Sequence, residues 1–188
     1  MGDTNSGAVD AGGNLRSTKP VRVDVRNETP ASGRVVSVMT DYKIQAAKLF
    51  PELQGQIYAH FNQLTQGNLT NNSVLGYYSE AEKKIVIANG VARGGEKKLR
   101  ETMAHEMAHA FSINTPRGFR SYGSAFDRAF KEYKKSHKRA TQSSFAGSIS
   151  NYAKSAKAEA FAEAFRDYTM NGKNAKAASK LIIKHWRR

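Results

Sequence analysis

"ETMAHEMAHAFSIN", residues 101–114, decides how the rest of this chain is read. It sets His105 and His109 four positions apart, with Glu106 beside the first. Side chains four apart stack on one face of a helix. Both imidazoles can then aim a nitrogen at one point about 2.0–2.1 Å from each, the distance zinc requires. Glu106 is rotated about 100° around the same helix. It is no comfortable co-ligand, but it can reach a water on the open side of a metal and act as general base. H-E-x-x-H thus draws two ligands and a base from one rigid element. The competing reading is a helix that carries two structural histidines.

Working outward, the helix is expected from Glu96 to Ile113, stopped by Asn114 and Pro116. Leu99, Met103, Ala110 and Ile113 give it a core-facing stripe. Before it, "SVLGYYSEAEKKIVIANG" (73–90) reads as a hairpin, with Val74 to Tyr78 and Lys84 to Ala88 as strands, and "GVARGG" follows as a loop. Further upstream, "VRVDVR" (21–26) alternates like a strand, "NETPASG" breaks it, and "RVVSVM" (34–39) is a second strand candidate. From Asp41 the period becomes helical, with Ile44, Ala47 and Leu49–Phe50 apolar. Pro51 can open another helix, whose stripe is Leu53, Ile57, Phe61 and Leu64 and which ends at Gly67. His60 lies beside that stripe and reads as a packing histidine.

Downstream, "SAFDRAFKEYKKSHK" (124–138) puts Phe126, Phe130 and Tyr133 on one helical face. "TQSSFAGSISNYAKS" reads as a loop. "AEAFAEAFRDYTM" (158–170) is a helix closed by Asn171–Gly172. Residues 174–188 form a basic amphipathic helix that docks through Leu181, Ile182 and Trp186. There is no internal repeat.

A catalytic zinc needs a third protein ligand and an open position. No H-x-x-G-x-x-H continuation follows His109, where the chain reads "AFSINTPRG". His137 lies among lysines and His185 in the terminal basic helix. The carboxylates Glu159 and Glu163 are better candidates: they are four apart on a helix otherwise made of Ala and Phe. Two acids on such a helix are costly to bury without partners. One as ligand and the other bonded to a ligand histidine would explain both. An exposed acidic face, with Phe161 and Phe165 buried opposite, explains the spacing equally well.

Composition bounds the alternatives. The chain has 188 residues, enough for one domain with a tail, and 39% of them are hydrophobic. No apolar run is long enough to cross a bilayer. The first 20 residues are small and polar, expected as a flexible tail, and lack the charged start and apolar core of a signal peptide. Gly2 and Ser6 match an N-myristoylation pattern, but that pattern is short and often met by chance, and a small polar tail is the reading taken. The location expected is cytoplasmic or virion-associated. There are no cysteines, which excludes disulfides, thiolate metal sites and cysteine nucleophiles. The net charge is +14. It concentrates in "KEYKKSHKR" (131–139) and in residues 173–188, where no acid offsets six Lys/Arg. Such runs serve either contact with nucleic acid or another polyanion, or solubility.

"HEMAH" combined with "SISNYAKSAKAEAFAEAFRDY" resembles the catalytic domain of the anthrax lethal factor type of metallopeptidase. That group includes Pro-Pro endopeptidases and related toxin and phage domains. Its pattern is H-E-x-x-H, then a serine-tyrosine region, then a glutamate seven residues past the tyrosine. Here Tyr152 precedes Glu159 by seven, and "EAFAEAF" (159–165) is similar to the family segment. "GYY…KKIVI" resembles the family's edge hairpin, so the likeness covers roughly residues 73–170. It implies an α+β, mostly helical zincin-like fold with a small antiparallel sheet or hairpin beside the active-site helix. A metallopeptidase domain is expected over 21–172, followed by a basic C-terminal helix over 173–188. The likeness implies Zn2+ held by His105, His109 and Glu159 (gluzincin type), with Glu106 activating water. Tyr152 would stabilise the oxyanion or assist the leaving amine, and Glu163 would orient a ligand histidine. The expected activity is a zinc metalloendopeptidase acting on a protein or peptide that lies along the hairpin edge. The competing readings are a metallopeptidase-fold binding module of a phage particle or injected effector, and a nucleic-acid binder with no metal.

Overall fold

The computed structural model describes residues 14–15, 24–53, 55, 63–69 and 74–187. The fold is α+β, with a small mixed sheet and a larger share of helix. Two compact units divide it, one spanning Val21–Pro116 and the other Arg117–Arg188 with the N-terminal segment Met1–Pro20.

The first unit contains β1 (Val25–Pro30), α1 (Gly33–Leu49), β2 (Gln63–Leu69), β3 (Gly76–Ser79), β4 (Lys84–Ala88), α2 (Asn89–Arg93) and α3 (Glu96–Ile113). The sheet order is β1-β2-β4-β3. β1 and β2 are antiparallel, as are β3 and β4, but β2 runs parallel to β4, so the expected antiparallel sheet is corrected to a mixed one. The 73–90 hairpin forms as expected, although its first strand is Gly76–Ser79 and not Val74–Tyr78; it turns through Glu80–Lys83, with Lys83 at φ 49°. α3 has the expected bounds and packs on β3, β4 and α1. Its buried face differs from expectation. Ile113 is 44% exposed, whereas Leu99, Met103, Met107 and Phe111 are fully buried. Burying each such side chain contributes about 1.5–3 kcal/mol. The small Ala104, Ala108 and Ala110 are also buried, so α3 is enclosed on more than one face.

Four local expectations in this unit fail for identifiable reasons. Residues 34–39 belong to α1 and not to a strand. Val35, Val38, Met39, Tyr42 and Ala46 are its buried residues, a 3.6-residue period that outweighs the β-branched run. Ile44 is consequently exposed. The break expected at Asn27 is a register shift inside β1, where Asn27 takes φ 53°, a conformation asparagine tolerates. Pro51–Leu53 is a single 3-10 turn, and Leu64 and Gly67 lie in β2, where pairing with both neighbours overrides the helical stripe. Ile57, His60 and Phe61 lie outside the described residues. "GVARGG" contributes most of the short helix α2, which buries Val91 and Ala92. Arg34 ties α1 to the end of α2 by donating to the Ala92 and Gly94 carbonyls at 2.8 and 2.6 Å.

The second unit contains α4 (Tyr122–Lys134), α5 (Gln142–Gly147), α6 (Lys157–Asn171) and α7 (Ala177–Trp186). α7 packs on α4 and α6. Trp186 is its anchor, fully buried with ring centroids 4.6, 5.1 and 5.8 Å from those of Phe119, Phe161 and Phe165. Ile182 is buried as expected, Ile183 joins it, and Leu181 is half-buried. α4 stops at Lys134, short of the expected Lys138. The 141–155 loop is corrected to a helix and a turn. Thr141 and Ser144 form a reciprocal cap that starts α5, and Tyr152–Ser155 is a 3-10 turn. α6 ends as expected at Gly172, whose φ of 54° suits glycine. Within the expected tail, Leu15 is 4% exposed and its N–H donates to Gln142 Oε1 at 2.9 Å. No helix among the described residues is long and apolar enough to cross a membrane.

Candidate metal centre

α3 presents His105 and His109 as the four-residue spacing requires. Their Nε2 atoms lie 3.0 Å apart, with the rings edge-on at 77°. With one Nε2 protonated the pair shares a hydrogen bond. With both protons on Nδ1, two lone pairs converge on one point, an arrangement that can accept a cation. Two nitrogens each about 2.05 Å from one ion subtend about 94° when 3.0 Å apart, and need about 3.3 Å for the tetrahedral angle. A ring adjustment of about 0.3 Å closes that gap. His105, His109 and Glu159 each offer one ligand atom, and these atoms all lie within 4.8 Å of one another. Two imidazole nitrogens and one carboxylate oxygen form a donor set suited to zinc, and leave a coordination position open.

Glu106 is 5% exposed. Its stem lies against β3: a Cβ built on Gly76 would meet Glu106 Cγ at 3.3 Å, Thr102 Cγ2 at 3.0 Å and the Val86 carbonyl oxygen at 2.9 Å. Gly76 is therefore the residue that lets the strand approach the helix at this point. Sequence reasoning missed it, although a glycine inside a strand pattern is a recognised sign of close backbone approach. β3 pairs with β4 alone among the described strands. The Ala88 N–H donates to the Leu75 carbonyl at 2.9 Å. By antiparallel alternation, Gly76 and Tyr78 then turn their backbone groups away from β4.

Glu159 and Glu163 are 5% and 3% exposed, so they do not form the exposed acidic face that their spacing also allowed. Burial makes their charge costly unless it is compensated. Glu163 Oε2 pairs with Arg166 Nη2 at 2.8 Å, an i,i+3 partner that the helical spacing of "EAFR" could have revealed. Tyr152 is 49% exposed on the 3-10 turn before α6, so its ring is not a core-packing aromatic. The two rejected histidines have other attachments. His137 stacks on Tyr133, with centroids 3.9 Å apart, and His185 Nε2 bonds Glu132 Oε2 at 2.7 Å.

No family model matches the chain, and neither curated proteins nor solved structures give a match.

Proposed function

We propose that the chain is a zinc-dependent metalloendopeptidase with a zincin-like fold, of the lethal-factor-like, glutamate-third-ligand type. The observation that carries this reading is the grouping of His105, His109 and Glu159 ligand atoms within 4.8 Å, with the two Nε2 atoms facing each other. His105, His109 and Glu159 would hold the ion. Zinc supplies a Lewis acid that brings the pKa of a bound water toward about 7 and polarises the scissile carbonyl.

The rest of the chemistry falls to the chain. Glu106 accepts the proton of the attacking water and delivers it to the leaving amide nitrogen. Burial on α3 against β3 limits its rotamers, which suits a base that must be aimed. Tyr152 donates a hydrogen bond to the carbonyl oxygen as negative charge develops there. Glu163 holds a ligand histidine in orientation. The substrate lies extended along β3 and bonds the outward backbone groups of Gly76 and Tyr78.

The test is cleavage of a peptide library by wild type beside Glu106→Gln and Tyr152→Phe. The reading expects cleavage by wild type. It expects loss of roughly 100-fold or more in Glu106→Gln, the range for a positioned base beginning at about that factor. Cleavage that survives Glu106→Gln unchanged refutes the role given to that residue.

A further inference from the structure

The charge of this chain is unevenly placed. Residues 117–188 hold 17 Lys/Arg against 5 Asp/Glu, a net of +12 out of the total of +14. All five acids are buried or engaged. Glu159 and Glu163 are buried. Asp127 pairs with Lys157 at 2.7 Å, and Glu132 meets both Lys184 and His185 at 2.7 Å. Asp167 accepts the Lys176 N–H at 2.8 Å. The end of α4 and the turn after it then present Lys131, Lys134, Lys135, Lys138 and Arg139, all exposed and none in an ion pair among the described residues.

Of these cations, Lys138 and Arg139 line a shallow recess of about 530 Å³ together with Tyr133, Ser136 and His137. The i,i+4 spacing lays the His137 ring flat on Tyr133, at 3.9 Å and 1°. Tyr133 in turn rests on the buried Phe145, with centroids 5.0 Å apart. His137 Nδ1 is held by the Tyr133 carbonyl and Ser136 Oγ at 3.2 and 3.0 Å. The imidazole is fixed in place and exposed, so its outer face can receive one more planar ring.

We propose that this turn binds a segment of single-stranded nucleic acid. Lys135, Lys138 and Arg139 contact phosphates, and a base stacks on His137. A membrane is the poorer fit. The large exposed hydrophobics among the described residues are Val36, Ile44, Leu75, Ile113 and Tyr152, and none lies within residues 131–139, so the turn itself offers no apolar side chain of that kind to insert into lipid. The proposal is independent of the metal reading.

The test is fluorescence anisotropy of a labelled 20-nucleotide oligo(dT) on the full chain across a salt series. The variants are Lys135→Ala/Lys138→Ala/Arg139→Ala, the same triple to Gln, His137→Ala, and a control triple on exposed cations elsewhere, Arg93→Ala/Lys97→Ala/Lys98→Ala. Losing three phosphate contacts flattens the slope of log Kobs against log salt by about 2, at about 0.7 per contact for single strands. Both triples at 135–139 should show it, with unchanged melting midpoints. His137→Ala should weaken binding about fivefold or more at constant slope, the loss of one stacked base. An equal loss in the control triple overturns the proposal, as does no loss in the 135–139 triples. Duplex DNA bound as tightly as oligo(dT), with His137→Ala silent, also overturns it. So does preference for vesicles with 30% phosphatidylserine.

Discussion

Gly76→Ala tests the contact between the edge strand and the helix that carries Glu106. The added Cβ would stand 2.9 Å from the Val86 carbonyl oxygen, 3.0 Å from Thr102 Cγ2 and 3.3 Å from Glu106 Cγ, where ordinary contact begins at 3.4 Å. The shortfalls are therefore about 0.5, 0.4 and 0.1 Å. The first cannot be relieved by a side chain, because it is backbone of β4, which is paired on both sides. The second is held too: Thr102 Oγ1 donates to the Lys98 carbonyl at 2.9 Å, which fixes the rotamer that points Cγ2 at Gly76. β3 must move off α3. Overpacking of this kind costs about 1–3 kcal/mol, and about 2 kcal/mol lowers the melting midpoint of a chain this size by roughly 4–8 °C. Thermal denaturation followed by far-UV circular dichroism measures it. Thr102→Ser removes Cγ2 and should recover part of the loss in the double variant, though the clash with Val86 remains. A midpoint for Gly76→Ala within about 1 °C of wild type refutes the close approach.

Trp186→Ala should cost about 3–5 kcal/mol, since the ring is fully buried among Phe119, Phe161 and Phe165; a loss below about 1 kcal/mol in urea titration contradicts that packing. Asp167 gives a pH dependence. Burial by itself raises its carboxyl, but nearby donors, with hydrogen bonds from Asn171 Nδ2 at 2.7 Å and the Lys176 N–H at 2.8 Å, outweigh it and hold the group below its ordinary 3.8. A lowered folded value means stability that is present above the unfolded value and lost as pH falls through the folded one. Asp167→Asn should therefore lower the urea midpoint at pH 6 and have a smaller effect at pH 2; an equal effect at both contradicts the assignment.

How much the sequence discloses differs by element. α3 is legible in its bounds because its boundary residues and its length agree, but its buried face is not, since Ile113 is exposed and Met107 and Phe111 are buried. The β3–β4 hairpin is legible because two short apolar runs flank a polar turn. α1 is not, because "RVVSVM" satisfies strand propensity while its burial follows a helical period that extends to Ala46. β2 is not, because its neighbours in the sheet decide its state and they are distant in sequence. α5 is hidden in a Ser- and Gly-rich stretch, although Thr141 and Ser144 mark its cap. In the candidate site, the pair of histidines is legible from spacing alone. The burial of Glu159 and Glu163 is not, since an i,i+4 pair of acids fits a wet face as well as a dry one. Gly76 matters through its close contacts with α3 and the Val86 carbonyl, which a glycine in a strand pattern signals but does not locate.

Elemental mass spectrometry of the purified protein reads out a metal held by His105, His109 and Glu159 without relying on any substrate. About one zinc per chain is expected after repletion at neutral pH, retained in Glu106→Gln and weakened in His105→Ala and Glu159→Ala, by roughly the 10-fold or more that loss of a ligand or its support entails. Zinc absent from wild type, or bound as tightly in Glu159→Ala as in wild type, contradicts it.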